Sequence, residues 1–263
     1  MKPVLRWLGL VAAAVLALQL YFVVRIAAMA LVDPQSTAFQ RSQVWRQWHD
    51  KGSWRWRQQW VAYPQIADNL KRAVIASEDD SFIYHDGVDW DALEKAWQKN
   101  AKAEAQAAKQ QAAQAAKATK APTPSKKAAT PTTDKPLARA AKVVGGSTIT
   151  QQLAKNLFLS GERTLLRKGQ EFVLTMLLEA LLSKQRILEI YLNNVEWGEG
   201  VFGAEAAAQR YFGKPASKLS AYEAARLAVM LPRPKYFEKL PNSSYVAGRA
   251  NVIANRLNNA ELP

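Results

Sequence analysis

Apolar positions along this chain pass from one unbroken run to a one-sided helical period. Residues 7–24, WLGLVAAAVLALQLYFVV, run for eighteen positions without a charge, interrupted only by the amide Gln19. A hydrocarbon core about 30 Å thick needs roughly 18–20 helical residues, so the run predicts a membrane-spanning helix. We place the anchor at 7–31, after a cytoplasmic tail over 1–6. From Pro64 the period becomes helical and one-sided: Ile66, Leu70 and Val74 recur at i, i+4 and i+8, which predicts a helix reaching about Asp80. EFVLTMLLEALL, RILEIYLNN and GAEAAAQRYFGK repeat the pattern. LSAYEAARLAVMLP opens with Ser220 three residues before Glu223, the spacing of a capping box. Alternating β-branched runs are few, so the class is mainly α.

Lys2 and Arg6 precede the apolar run, which keeps the N-terminus cytoplasmic and sends the remainder outward. Ala28-Met29-Ala30 has the small-x-small form of a signal-peptide cleavage site. The length of the run, and Arg25 ahead of that site, favour an uncleaved anchor. Both readings put the main domain outside the cytoplasm. Over residues 32–60 the chain holds five of its nine tryptophans, interleaved with Arg and Lys. A membrane interface and an amphipathic segment packed on the domain both account for that composition. Residues 98–142 are Ala/Lys/Gln-rich and then Pro-rich, with helix propensity but no apolar face. They read as a solvated, at most partly helical, low-complexity insertion.

Charge then narrows the function classes. The net charge is +14, but residues 95–142 carry eleven Lys or Arg against Glu104 and Asp134, hence +9 of it. What remains is ordinary, and no zinc-finger or RNP-type motif is present, so nucleic acid is not an indicated partner. The chain has no cysteine and two histidines, which excludes disulfides and thiolate metal sites and disfavours a histidine metal site.

Four blocks carry candidate chemistry. SEDDSFIYHDG sets Glu78, Asp79 and Asp80 side by side at the predicted helix end, where the helix dipole raises a carboxyl pKa. If the helix persisted, Glu78, Phe82 and His85 would share one face. Local pattern alone favours a polar helix end before a turn at Asp86-Gly87. GGSTITQQLAKN gathers Gly146, Ser147, Thr148, Thr150, Gln151, Gln152, Lys155 and Asn156 at a helix start, an arrangement that suits anions but lacks P-loop spacing. RTLLRKGQE places Arg163, Arg167 and Glu171 along one helical face, with Lys168 beside it. Such a face is either a row of ion pairs or a pyrophosphate clamp. KQRILEIYLNN holds Glu189 and Asn193 among apolar residues, where Glu189 reads as a structural hydrogen-bonding acid.

In their order along the chain, E-D-x-x-F-x-x-H-x-G at 78–87, the block at 145–156, R-T-L-L-R-K-x-x-E at 163–171 and K-x-x-I-L-E-I-Y-L-N at 184–193 resemble the signature motifs of the peptidoglycan glycosyltransferase family. The likeness extends through EWGEGVFGAEAAAQRYFGK and EAARLAVMLPRP, covering about residues 60–240. It is greatest to the monofunctional biosynthetic transglycosylases of Gram-negative bacteria. No S-x-x-K, S-x-N or K-T-G transpeptidase motif is present.

The resemblance implies a lysozyme-like glycosyltransferase domain over 61–240 with a membrane-facing lobe, followed by a C-terminal helix or tail over 241–263. The protein would be a single-pass protein of the bacterial inner membrane, with the domain in the periplasm. The implied activity is polymerisation of lipid II into β-1,4-linked strands with loss of undecaprenyl pyrophosphate. Glu78 would be the general base and Glu171 the second catalytic glutamate. Asp79, Phe82 and His85 would shape the acceptor pocket. The polar residues from Gly146 to Asn156, with Arg163, Arg167, Lys168, Glu189 and Asn193, would bind substrate. Implied partners are lipid II, the growing strand, the membrane, and proteins of cell-wall synthesis and division. No cofactor is required by the likeness. Some members respond to a divalent cation, Mg or Mn, but the sequence has no dedicated metal cage. A lysozyme-like lytic hydrolase and a non-catalytic membrane scaffold are the competing classes.

Overall fold

The computed structural model describes residues 2–118, 146–159, 161 and 164–263, in two compact units. The larger comprises residues 1–88 and 147–263 and the smaller residues 89–146. In the larger unit, α1 spans Lys2–Ala28, so the helix takes in the basic residues ahead of the apolar run. It is long and apolar enough to cross a membrane, and most of its surface is open. Its last turns are not: Phe22 and Ile26 enter the core, as does Met29 just past the helix end.

After α1 the chain turns into α2 (Ala38–Lys51), started by a Thr37/Gln40 capping box and stopped by Gly52 in the left-handed conformation at φ 64°. A two-residue strand β1 (Arg57–Gln58) leads to a 3₁₀ turn at Tyr63–Gln65 and then to α3 (Asp68–Glu78). The expected helix from Pro64 to Asp80 is thus shorter at both ends. Ile66 is extended at φ −95°, ψ 129°, and Asp79 leaves the helix at φ −165°, ψ 73°. Phe82 and His85 therefore do not share a helical face with Glu78; they sit in the turn that follows.

The smaller unit holds α4 (Trp90–Ala118), so the first part of the Ala/Lys-rich segment is helical. The rest of the expected 98–142 insertion lies outside the described residues. Back in the larger unit come α5 (Ile149–Phe158), α6 (Leu165–Leu181) and α7 (Lys184–Asn194). Strands β2 (Glu196–Gly198) and β3 (Val201–Phe202) follow, then α8 (Ala204–Phe212), α9 (Ala221–Met230), α10 (Pro234–Phe237) and α11 (Ser244–Ala254). The strands form one small sheet in the order β1-β3-β2, with β1 parallel and β2 antiparallel to β3.

The core is built from one-sided helices: α3 contributes Leu70, Ala73, Val74 and Ile75, and α9 contributes Ala224, Ala225, Leu227 and Ala228. Ala-rich faces on α8 and α9 let backbones approach closely. Trp197 is fully buried among them, with Nε1 donating to Leu227 O at 3.0 Å. Residues 241–263 contain α11 and a following 3₁₀ turn at Leu257–Asn259, and both pack into this core. Val246, Ala250, Ile253, Leu257 and Ala260 are buried, and the Arg72 guanidinium donates to the Ala260 carbonyl.

Glu196, on β2, is a buried acid whose Oε1 has no hydrogen-bond partner among the described residues and lies 3.6 Å from Lys235 Nζ. Burial pushes its carboxyl up to about 7, against the opposing pull of Lys235. From about 4.5 to about 7, the folded state holds a proton that the unfolded chain has released. Stability therefore falls as pH rises through that window, by on the order of 3 kcal/mol. Thermal unfolding followed from pH 4 to 8 is expected to show this decline, and Glu196→Gln is expected to flatten it.

Candidate active site

The site grows from the point where α3 ends. Glu78 is the last helical residue, and Gln152 Nε2 on α5 donates to its Oε2 at 3.0 Å. The Tyr191 hydroxyl on α7 donates to Gln152 Oε1 at 2.9 Å, which turns the amide nitrogen toward Glu78. Burial keeps the Tyr191 phenol well above its ordinary pKa, so it remains a donor. Burial also raises the Glu78 carboxyl, opposed by the hydrogen bonds from Gln152 and Ser77 and by the charge of Lys155. Desolvation, more than the helix dipole, is the leading cause.

Asp79 is an organiser. Its Oδ2 accepts the Ile149 N–H at 2.9 Å, and its Oδ1 lies 2.8 Å from His85 Nε2. Because the Gly87 N–H donates to His85 Nδ1 at 3.1 Å, the ring proton sits on Nε2 and points at Asp79. The helix-start anion site read in the second block is therefore occupied from within: Asp79 takes the first amide of α5, and Thr148 takes that of Gln151. Thr148 and Gln151 form the capping box of α5, while Thr150 Oγ1 donates to Glu179 Oε1 at 2.6 Å. Gly87 has φ 84°, and a Cβ there would lie 2.6 Å from Thr175 Cγ2, so glycine alone fits this turn against α6.

Phe82 is fully buried beneath Lys184 Nζ, 4.7 Å from the ring centroid, and Lys184 also pairs with Glu179 at 2.9 Å and donates to the His85 carbonyl. Phe82, His85, Lys184 and Glu179 thus form a braced wall beside Glu78. Ser147 is half-buried and its carbonyl lies 3.4 Å from Gln152 Nε2; Asn156 is half-buried on α5. Gly146 belongs to the smaller unit, where its missing Cβ faces Ala96 and Leu93 of α4.

The cations lie on α6 and at Lys155. Glu171 is buried, with Arg167 Nη1 at 3.1 Å from its Oε2 and the Lys168 ammonium on its Oε1. Arg167 Nε is buried and lacks a partner among the described residues. Lys155 still reaches solvent, yet desolvation lowers its ammonium pKa, countered by Glu171 and Glu78 and reinforced by Arg167 and Lys168. It couples the Glu78 end of the site to the α6 end. Arg163 lies outside the described residues, just ahead of the Thr164 cap of α6. Glu189 and Asn193 are turned to a structural task. Glu189 accepts the Tyr63 N–H and pairs with Arg186, and the Asn193 amide brackets Val61.

Lys184 and Tyr191 stand in the fourth motif but were given no role from the sequence, and Glu179 was not singled out at all. A tyrosine or a lysine within an apolar helical run does require a polar partner, which is the one local signal they offered.

The transglycosylase family profile matches residues 46–133 and 126–258. The chain belongs to the transglycosylase family. Its relatives include proteins named biosynthetic peptidoglycan transglycosylase. That of Burkholderia thailandensis is 50% identical over 266 residues, 100% of this chain and 90% of the relative. That of Burkholderia pseudomallei is 49% identical with the same coverage. That of Burkholderia vietnamiensis is 47% identical over 262 residues, 98% of this chain and 92% of the relative. This transglycosylase accordingly has a mainly α, lysozyme-like domain preceded by one apolar helix, and it is a glycosyltransferase enzyme.

Proposed function

We infer that this transglycosylase makes peptidoglycan, joining lipid II into β-1,4-linked glycan strands and releasing undecaprenyl pyrophosphate. The observation that carries the reading is one half-buried, desolvated acid, Glu78, held by Gln152 on α5, the helix that also carries Lys155, with the cations Arg167 and Lys168 clustered on α6. Glycosyl transfer from a pyrophosphate donor needs both parts: a base for the incoming hydroxyl, and cations where the leaving group gathers charge.

In this reading Glu78 takes the proton from the GlcNAc 4-hydroxyl of the acceptor. The freed oxygen attacks the anomeric carbon of the terminal MurNAc, and the bond from that carbon to the pyrophosphate oxygen breaks with inversion from α to β. Arg167, Lys168 and Lys155 receive the charge on the departing pyrophosphate, and Glu171 holds the first two in place. Gln152, aimed by Tyr191, keeps Glu78 fixed. Asp79 and His85 hold the turn that carries the acceptor wall. A resident divalent cation does not suit this donor set, because both Glu171 oxygens already face cationic side chains.

Lipid II is confined to a bilayer, so a catalyst tethered by α1 searches in two dimensions at raised effective concentration. We place α1 across the bacterial inner membrane and the domain in the periplasm, following Lys2 and Arg6 on the cytoplasmic side. Other wall-synthesis and division proteins remain proposed partners.

Labelled lipid II tests the activity: the enzyme is expected to lengthen strands, whereas a lytic enzyme shortens preformed ones. The pH profile tests the base. The hydrogen bond from Gln152 favours the charged form of Glu78, so Gln152→Leu is expected to raise the Glu78 pKa further. The acid limb of kcat/KM should then move to higher pH. A limb that stays in place or moves down refutes the pairing.

A further inference from the structure

Helix α2 is turned inside out. Its buried stripe is Gln40, Gln43 and Gln47, at i, i+3 and i+7. Gln40 Nε2 donates to Asn194 O at 3.2 Å, Lys235 Nζ donates to Gln43 Oε1 at 2.6 Å, and the Arg55 N–H donates to Gln47 Oε1 at 2.9 Å, while Gln47 Nε2 has no partner among the described residues. The outward stripe is Arg41, Trp45 and Trp48, at i, i+4 and i+7, with Val44 half-buried beside it. Trp45 and Trp48 are 64% and 54% exposed, with ring centroids 5.7 Å apart. Trp54 and Trp56, from the segment after α2, close this stripe into a cup of about 390 Å³.

Burying amides while holding indoles outward reverses what water favours for a surface helix. The outer face is therefore matched to a less polar medium, and two observations say which. The cup adjoins the exit of α1, because a neighbouring cavity of about 300 Å³ is lined by Arg25, Met29 and Val32 together with Arg41 of the cup. Charge agrees as well: residues 38–57 carry Arg41, Arg46, Lys51, Arg55 and Arg57 against Asp50 alone. Indole rings and guanidinium groups side by side suit the headgroup layer of a bilayer.

We propose that the outer face of α2, with Trp54 and Trp56, is a second membrane contact that docks on anionic phospholipid headgroups beside α1. It rests on α1 spanning the bilayer. A spanning helix alone leaves the domain free to swivel about its axis, whereas a second contact beside it fixes that rotation. Through Gln40 and Asn194, α2 is tied to α7, whose Tyr191 aims Gln152 at Glu78, so the contact would orient the site toward its lipid-borne substrates.

The chain has no cysteine, so a single introduced one carries a unique environment-sensitive fluorophore. Full-length Leu16→Cys, Trp45→Cys and Trp48→Cys proteins would be placed in lipid nanodiscs with and without nitroxide-bearing lipid. The tryptophan positions are exposed, so their replacement leaves the core intact. The nitroxide is expected to quench all three labels in phosphatidylglycerol-containing discs. At 45 and 48, but not at 16, quenching should fall at least ~2-fold in pure phosphatidylcholine or at high salt. Unquenched labels at 45 and 48 beside a quenched one at 16 overturn the proposal and leave the anchor standing. An unquenched label at 16 overturns both. Equal quenching at 45 and 48 in the two lipid compositions overturns the anionic headgroup as occupant. Protection of 45 and 48 by soluble glycan strands rather than by lipid reassigns the cup to sugar stacking.

Discussion

Glu78→Gln is expected to lower lipid II polymerisation by ~10²–10⁴-fold, the usual contribution of a positioned base, without loss of the fold. The amide matches the carboxyl in shape and can still accept the hydrogen bond from Gln152. It cannot take a proton. Since burial already disfavours the charged form of Glu78, a neutral replacement relieves a desolvation cost, and thermal stability should hold or rise. Turnover on labelled lipid II and thermal unfolding, measured on the same preparation, check both halves. Near-normal chain growth by a folded variant would remove Glu78 from the base role.

Arg167→Ala is the second large effect, with an expected loss of ~10²–10³-fold in kcat/KM if the guanidinium meets charge that develops in the transition state. Among the described residues, this variant leaves the buried Glu171 with Lys168 as its remaining ion-pair partner, so some destabilisation is expected alongside. A double variant separates the two contributions. Arg167→Ala combined with Glu171→Gln should recover the melting temperature, because no buried charge is left under-paired, while turnover stays low. Recovery of both would make Arg167 a structural partner only. Arg167→Lys keeps the charge but loses the planar fork, and should fall between wild type and alanine.

Much of the helical layout was legible from periodicity because burial on one side imposes the period directly. Ile66, Leu70 and Val74 are all in the core, and the Ser220/Glu223 capping box forms as its spacing implies. Boundaries were less legible. Asp79 ends α3 because its carboxylate is drawn to the Ile149 N–H and to His85, partners distant in sequence or placed by the turn itself. The orientation of α2 was not legible either: tryptophan and glutamine both recur along it, and only the groups facing Gln40, Gln43 and Gln47 decide which stripe is buried.

At the site, the inventory could be read from residue order alone: which acids and cations exist, in what order, and that an apolar helix precedes them. Those follow from residue chemistry and local spacing. The tertiary structure decided how the acids divide their tasks. Glu78, Asp79 and Asp80 are neighbours in the chain, yet one is desolvated beside Gln152, one is locked between α5 and His85, and one is exposed. Desolvation and hydrogen bonding depend on what surrounds a carboxyl in space, and here that surrounding comes from α5, α6 and α7, some seventy or more residues further along the chain.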